Sequence, residues 1–227
     1  MPSNPDAIDV VVPVYNEEAV LPTFFNRIAS VDLPLNLIFI DNASTDTTLA
    51  LLKRRSDVTV ITHRRNEGYG GSLIDGIRAA RADRIVIIDA DCEYPPESIT
   101  DLVAALDRHE VVYSSRFLSP QKLDMPLFRK VGNGVISMLF NWLFRQQVTD
   151  LYTGFKAMRR TAVDNIHLER RGFEHVLELA VRFSQRGIAI AEVPIIYELR
   201  QSGRSKMNHI SETLKFFALL VHYRLNG

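Results

Sequence analysis

Four short apolar runs, spaced along the first ninety residues, constrain this chain most: IDVVVPV (8–14), LNLIFID (35–41), DVTVITH (57–63) and RIVIIDA (84–90). Each is rich in β-branched residues and apolar on both faces, as in a strand buried between two layers of a mostly parallel sheet. Helical patterns fill the gaps at 17–30, 45–55, 71–82 and 96–108. In the last of these, Ile99, Leu102, Val103 and Leu106 recur at helical spacing behind a Pro95-Pro96 opening. Alternating strands and helices predict an open, doubly wound α/β sheet, whose ligands bind beyond the carboxyl ends of the strands. Those ends are Pro13–Glu17, Asp41-Asn42, His63–Gly71 and Asp89–Glu93, all polar or glycine-rich.

The second half is less regular. EVVYSSRF (110–117) predicts another strand, and 131–145 a helix that is apolar on nearly every side. DLYTGFKAMRR (150–160) reads as a strand leaving a turn. A helix at 173–187 would place Phe173, Val176, Leu177, Ala180 and Val181 on its inner face. IAIAEVPIIYELR (188–200) reads as a last strand, at an edge because of Pro194. A Ser/Gly/basic segment (201–207) then leads into a terminal helix.

Charge excludes some partners. The 27 Lys and Arg balance the 27 Asp and Glu, so bulk charge argues for neither nucleic acid nor anionic lipid. The single cysteine, Cys92, rules out an internal disulfide and fits a reducing compartment. The N-terminus has no basic stretch before a long apolar core, and FFALLV (216–221) falls short of the ~20 residues a spanning helix needs. The expectation is a cytoplasmic protein, soluble or peripheral at the inner membrane face.

The stretch VIIDADCEYPPES (86–98) ends an apolar run on Asp89 and Asp91. Carboxylates this close repel unless one takes a proton or a cation lies between them. Mg²⁺ or Mn²⁺ would relieve the repulsion with one or two protein carboxylates, filling its other positions with phosphates and water. The bland alternative is a solvated acidic turn capping the next helix. Asp41, ending the second run, could accept hydrogen bonds from a base or ribose, while Ser44, Thr45 and Asp46 suit helix N-caps. Gly70, in NEGYGGS (66–72), stands before a helix where exposed N–H groups suit a nucleotide.

VVPVYNEE, DNASTDTT, NEGYGGSLIDGI, DADCEYPPE, SSRF, DLYTGFKAMRR, GFEHVLELAVR and EVPIIYELRQSGRSKM occur in the order seen in family 2 glycosyltransferases. Together they resemble most the dolichyl/polyprenyl-phosphate mannose and glucose synthase branch. The resemblance implies a GT-A fold and inverting transfer of a hexose from a GDP- or UDP-linked donor. It divides one domain into a nucleotide-sugar half (8–113), an acceptor half (114–200) and a basic loop with a C-terminal helix (201–227). It implies that Pro13, Tyr15, Glu17 and Asp41 hold the nucleoside, and that Asp89 and Asp91 hold the metal and diphosphate. Glu93 stands where the family often has Gln and would add a third metal-side charge. Arg116 and Arg129 match the lipid-phosphate side, and Arg200, Arg204 and Lys206 a loop covering the donor diphosphate.

The acceptor separates subclasses. A hydroxyl nucleophile needs a general base; a phosphate monoester, with its second pKa near ~6, is already anionic and needs cations instead. Base candidates are Asp150, which could instead orient its turn, and Glu174, near the acidic residue that often serves in the wider family. Glu178 and Arg182 are expected to form an i,i+4 ion pair. His63, His109, His175 and His209 lack metal-ligand spacing and read as structural. The apolar helix 131–145, flanked by Arg129-Lys130 and Arg145, could pack a core or rest in a membrane interface. Two alternatives remain: transfer to a hydroxyl of a soluble molecule or glycan precursor, and nucleotide-sugar binding without turnover. A dinucleotide oxidoreductase is disfavoured because no G-x-G-x-x-G follows the first strand.

Overall fold

The computed structural model describes residues 6–121, 125–198 and 209–226. Strands β1 (Ile8–Val14), β2 (Leu35–Asp41), β3 (Val58–Thr62) and β4 (Arg84–Ile87) alternate with helices α1 (Leu21–Ile28), α2 (Thr48–Lys53) and α3 (Gly68–Ala79). A 3-10 turn at Pro96–Ser98 opens α4 (Ile99–Ala105), which leads to β5 (Val111–Ser115). Helix α5 (Leu127–Phe144), β6 (Lys156–Arg159), α6 (Arg160–Val163), α7 (His175–Gln185), β7 (Ile190–Pro194) and α8 (His209–Asn226) follow.

Among the described residues the strands form one sheet, in the order β3-β2-β1-β4-β6-β5-β7. Only β6 is antiparallel to its neighbours, β4 and β5. The expected mostly parallel sheet is therefore present, with β7 and its Pro194 at an edge. Alternation along the strands divides the core into two layers. Val11, Ile38, Ile40, Ile85 and Ile87 pack with residues of α3, α5, α7 and α8. Val10, Val12, Leu37, Phe39 and Val86 pack with α1 and α4.

Two helices differ from expectation. The first is α5, which begins at Leu127, directly after Pro126, and ends at Arg145 in the left-handed region (φ 56°). It buries Asn133, Ile136, Ser137 and Phe140 on one face. Leu127, Val131, Val135, Met138 and Trp142 are exposed on the other, Trp142 by 78%. Helix α8, which packs on α5, leaves Phe217, Val221 and Leu225 exposed. In the second, α7, the expected Glu178–Arg182 ion pair does not form. Glu178 is fully buried and accepts the N–H groups of Glu169 and Arg170 and the Tyr223 hydroxyl. A buried carboxylate takes the strongest donors in reach, here backbone N–H groups brought in by tertiary packing. No helix among the described residues is long and apolar enough to cross a membrane.

Candidate active site

The carboxyl ends of β1 and β2 lie side by side, with Val14 opposite Asp41, and their loops are cross-linked. Asn16 N–H donates to Ser44 Oγ at 3.0 Å, and Asn16 Oδ1 accepts from Thr45 N–H at 2.7 Å. Glu17 N–H donates to Thr48 Oγ1 at 2.8 Å. Ser44 therefore joins two loops instead of capping a helix, whereas Asp46 accepts the Thr48 N–H at the start of α2. Asn16, with φ 55°, was not legible as a site residue; its role depends on a partner 28 positions away.

Pro13, Tyr15 and Glu17 are half-buried along this rim. Asp41 is fully buried; its Oδ2 takes the Ser44 N–H at 3.4 Å and its Oδ1 has no hydrogen-bond partner. Leaving such an oxygen unpaired costs about 1–3 kcal/mol. It is an acceptor ready for a ligand N–H or O–H.

Beyond β4 the chain turns through Cys92, at φ 58°. Burial pushes the Cys92 thiol up to about 11, so this cysteine is a small turn residue and not a thiolate nucleophile. Asp89 Oδ1 accepts the Tyr69 hydroxyl at 3.1 Å. Its Oδ2 lies 2.3 Å from where a Cβ on Gly154 would stand, so only glycine leaves room for the carboxylate. Burial and the neighbouring Asp91 push Asp89 up to about 8. That mutual repulsion fits a pair able to share a divalent cation. Glu93 adds a further negative charge that acts on Asp89 in the same sense. Its carboxylate takes the Tyr197 hydroxyl, and its carbonyl takes the Glu198 N–H at 2.9 Å. Among the described residues no three His, Cys, Asp or Glu side chains are grouped to hold a metal.

Gly70 is engaged by a loop from the second half of the chain. Its N–H donates to Gly172 O at 3.2 Å, and Gly71 N–H to Arg171 O at 3.0 Å. A Cβ at Gly70 would stand 2.3 Å from Arg170 O and 2.5 Å from His175 Cβ. These glycines let a loop from the second half dock on α3, and their N–H groups are not free for a phosphate. The docked loop stacks Phe173 on Tyr69, with ring centroids 5.3 Å apart. Glu174, half-buried at the start of α7, follows directly.

In the second half of the chain Arg116 and Asp150 form a buried pair. Arg116 Nε lies 2.6 Å from Asp150 Oδ2 and Nη2 lies 2.8 Å from Oδ1. Asn133 Nδ2 donates to Asp150 Oδ1 at 2.8 Å, and Ser137 Oγ fixes the Asn133 amide at 3.1 Å. Burial alone would raise the Asp150 pKa, but Arg116 and Asn133 outweigh it and hold the carboxyl below the usual range. A carboxylate so stabilised is a poor proton acceptor, which favours orientation of Arg116 over a base role. The Nη1 edge of Arg116 takes no part in the pair, and the Tyr94 and Tyr197 rings flank the guanidinium at 5.9 and 5.4 Å.

Lys156 escaped the sequence reading, although a lysine inside the apolar run FKAM is a usable signal. It is fully buried, donates to Thr153 O, and lies 5.0 Å from the Tyr113 ring centroid. Burial pulls its pKa down to about 8, with Asp89 and Asp150 acting in the opposite sense. Arg129 lies on α5, but its side chain is outside the described residues, as are Arg200, Arg204 and Lys206 altogether.

Comparison with known proteins now places the chain. A dolichol-phosphate mannosyltransferase of Pyrococcus furiosus is 29% identical over 209 residues, which cover 88% of this chain and 59% of that relative's length. A UDP-N-acetylglucosamine–dolichyl-phosphate N-acetylglucosaminyltransferase of Methanococcus voltae is 29% identical over 242 residues, 96% of each chain. Glucosyl-3-phosphoglycerate synthase from Mycobacterium tuberculosis, solved with Mn²⁺ and UDP-glucose, superposes with a TM-score of 0.72 at 22% identity, covering 96% of this chain and 79% of that one. These structural neighbours establish the GT-A fold. The family model for glycosyl transferase family 2 matches residues 9–166, and the chain belongs to that family.

Proposed function

We propose that the chain is an inverting, metal-dependent hexosyltransferase that moves a sugar from a GDP- or UDP-linked donor to a polyprenyl phosphate at the cytoplasmic face of a membrane. The observation that carries the acceptor assignment is Arg116, held by Asp150 and Asn133 beside a helix whose outer face is apolar and exposed. An anionic head can meet the Nη1 edge of Arg116 while α5 rests in the lipid interface. The names of the lipid-phosphate transferases among its relatives agree with this reading.

On the donor side Asp41, Pro13, Tyr15 and Glu17 are assigned to the nucleoside, with the unpartnered Asp41 Oδ1 accepting from base or ribose. Asp89 and Asp91 would hold the divalent cation. Its chemistry when bound is neutralisation of the charge that grows on the departing nucleoside diphosphate. The acceptor phosphate, already anionic near neutral pH, attacks the anomeric carbon from the face opposite the leaving group and needs no base. That agrees with an Asp150 committed to Arg116.

The second reading, transfer to a soluble hydroxyl, rests on Glu174, which follows the Phe173 ring stacked at the Asp89 site. An assay crossing GDP-mannose, UDP-glucose and UDP-N-acetylglucosamine with a short polyprenyl phosphate and Mn²⁺ decides between them. Sugar transferred to lipid supports the proposal. Metal-dependent donor hydrolysis with no lipid product, together with a loss of ~10²–10⁴-fold in Glu174→Gln with a hydroxyl acceptor, would replace it with the second reading.

A further inference from the structure

Tyr69 occupies a position for which neither the fold nor the donor reading yet gives a reason. It stands in the first turn of α3, where close packing asks for small residues on either side, Gly68, Gly70 and Gly71. Its ring is stacked on Phe173, at 5.3 Å and an interplanar angle of 18°. Its hydroxyl reaches the Asp89 carboxylate at 3.1 Å. Opposite that hydroxyl, the bare Cα of Gly154 seats Asp89 Oδ2. One oxygen is thus held by a donor and the other by a steric seat. The hydroxyl fixes one oxygen, and the other occupies the space that the missing Cβ of Gly154 leaves.

From this geometry we infer that Tyr69 is a positioning residue for the divalent cation: its hydroxyl aims the Asp89 carboxylate, and its stack on Phe173 ties that aim to the loop carrying Glu174. The inference rests on the metal reading given above. Partners behind a ligating group orient it, and their removal typically weakens metal binding by about 10–100-fold. A hydroxyl serves because it donates to one lone pair of Oδ1 and leaves the other available. The stack serves because two facing rings resist tilting, which a lone tyrosine on a helix does not.

Two variants separate aim from packing. Tyr69→Phe keeps the ring and its stack but removes the hydroxyl; Tyr69→Leu removes both. Mn²⁺ binding to the full chain would be followed by equilibrium dialysis, alone and with UDP or GDP, beside thermal unfolding and the Mn²⁺ concentration for half-maximal turnover. For Tyr69→Phe the expected result is Mn²⁺ affinity lower by about 10-fold, a matching rise in the half-maximal concentration, and kcat largely restored at saturating Mn²⁺. Cooperative unfolding should be retained. Wild-type Mn²⁺ affinity in Tyr69→Phe, with a loss only in Tyr69→Leu, would reduce Tyr69 to packing and overturn the inference. If the wild-type chain binds no Mn²⁺, or Asp91→Ala binds it as well as wild type does, the metal reading itself fails and this inference falls with it.

Discussion

The carboxylates of the proposed donor side and of the proposed acceptor side are treated in opposite ways. Asp41 keeps an unpartnered oxygen, and Asp89 sits beside Asp91 with its pKa pushed up to about 8. Asp150 instead takes four donors, three from Arg116 and one from Asn133, and stays ionised below the usual range. Lys156, buried and itself pulled down to about 8, only partly offsets this negative charge, which leaves a place for a cation brought from outside. The acceptor side carries its cation already fixed in place. A site that must bind and release a cation-bearing ligand each turnover suits the first arrangement, and one that must present a constant charge suits the second.

The contrast can be broken most forcefully at Asp150. Asp150→Ala leaves Arg116 buried without its counter-charge and should cost about 3–5 kcal/mol of stability, measured by urea unfolding. A loss below about 1 kcal/mol would mean that the pair is not the anchor described. Next in size is Gly154→Ala, whose new Cβ would displace Asp89. Displacement on the order of 1 Å predicts a ~10²-fold fall in turnover, read as kcat/KM for the donor. Unchanged turnover would show that Asp89 does not need that seat.

A third effect has a definite sign. Asp89 is raised from 3.8 to about 8, so the folded chain binds more protons than the unfolded one between those values. Its contribution is fully present below about pH 4 and is lost as pH rises through about 8. Asp89→Asn should therefore raise the metal-free Tm at pH 8, by about 2–4 °C for each 1 kcal/mol relieved, while abolishing metal-dependent turnover. Asp150, with a lowered pKa, contributes stability that is lost on acidification instead. A metal-free Tm unchanged in Asp89→Asn would mean that the carboxylate pair is not repulsive. The smallest effect on stability, within ~0.5 kcal/mol, is expected for Trp142→Gln with Met138→Gln, since both side chains are exposed. The same double change should lower binding to liposomes containing polyprenyl phosphate; equal binding would remove α5 from the membrane contact.

What the sequence made legible was local. Apolar runs and their polar ends placed β1 to β4 and the acidic turn, because burial on both faces writes itself into every residue of a strand. Pairings across the chain were not legible. Nothing in SSRF or TDLYTG says that Arg116 and Asp150, 34 positions apart, will meet, and so Asp150 read as either a base or a residue orienting its own turn. Gly70 misled for a related reason: a helix N-terminus offers donors, but carbonyls about a hundred residues away had already taken them. Glu93 was singled out only by its departure from the family's Gln, and that gave no sign that a tyrosine beyond β7 meets its side chain.

Strands β5 and β6 are hydrogen-bonded neighbours of opposite direction, with Val111 opposite Met158 and Tyr113 opposite Lys156. The chain between them, residues 116–155, leaves the sheet and returns beside its own point of departure, and Arg116, Asn133, Ser137 and Asp150 all lie inside that excursion. Such an arrangement is an exchangeable cassette. On the proposed acceptor role of Arg116, acceptor preference can diverge in lineages that keep one donor apparatus, provided that changes here also preserve Gly154, which seats Asp89, and the packing of α5 on α8. A chimera carrying this stretch from a relative with another acceptor should keep its nucleotide preference and change what it glycosylates; a switch of nucleotide would show that the two preferences are not separable in this way.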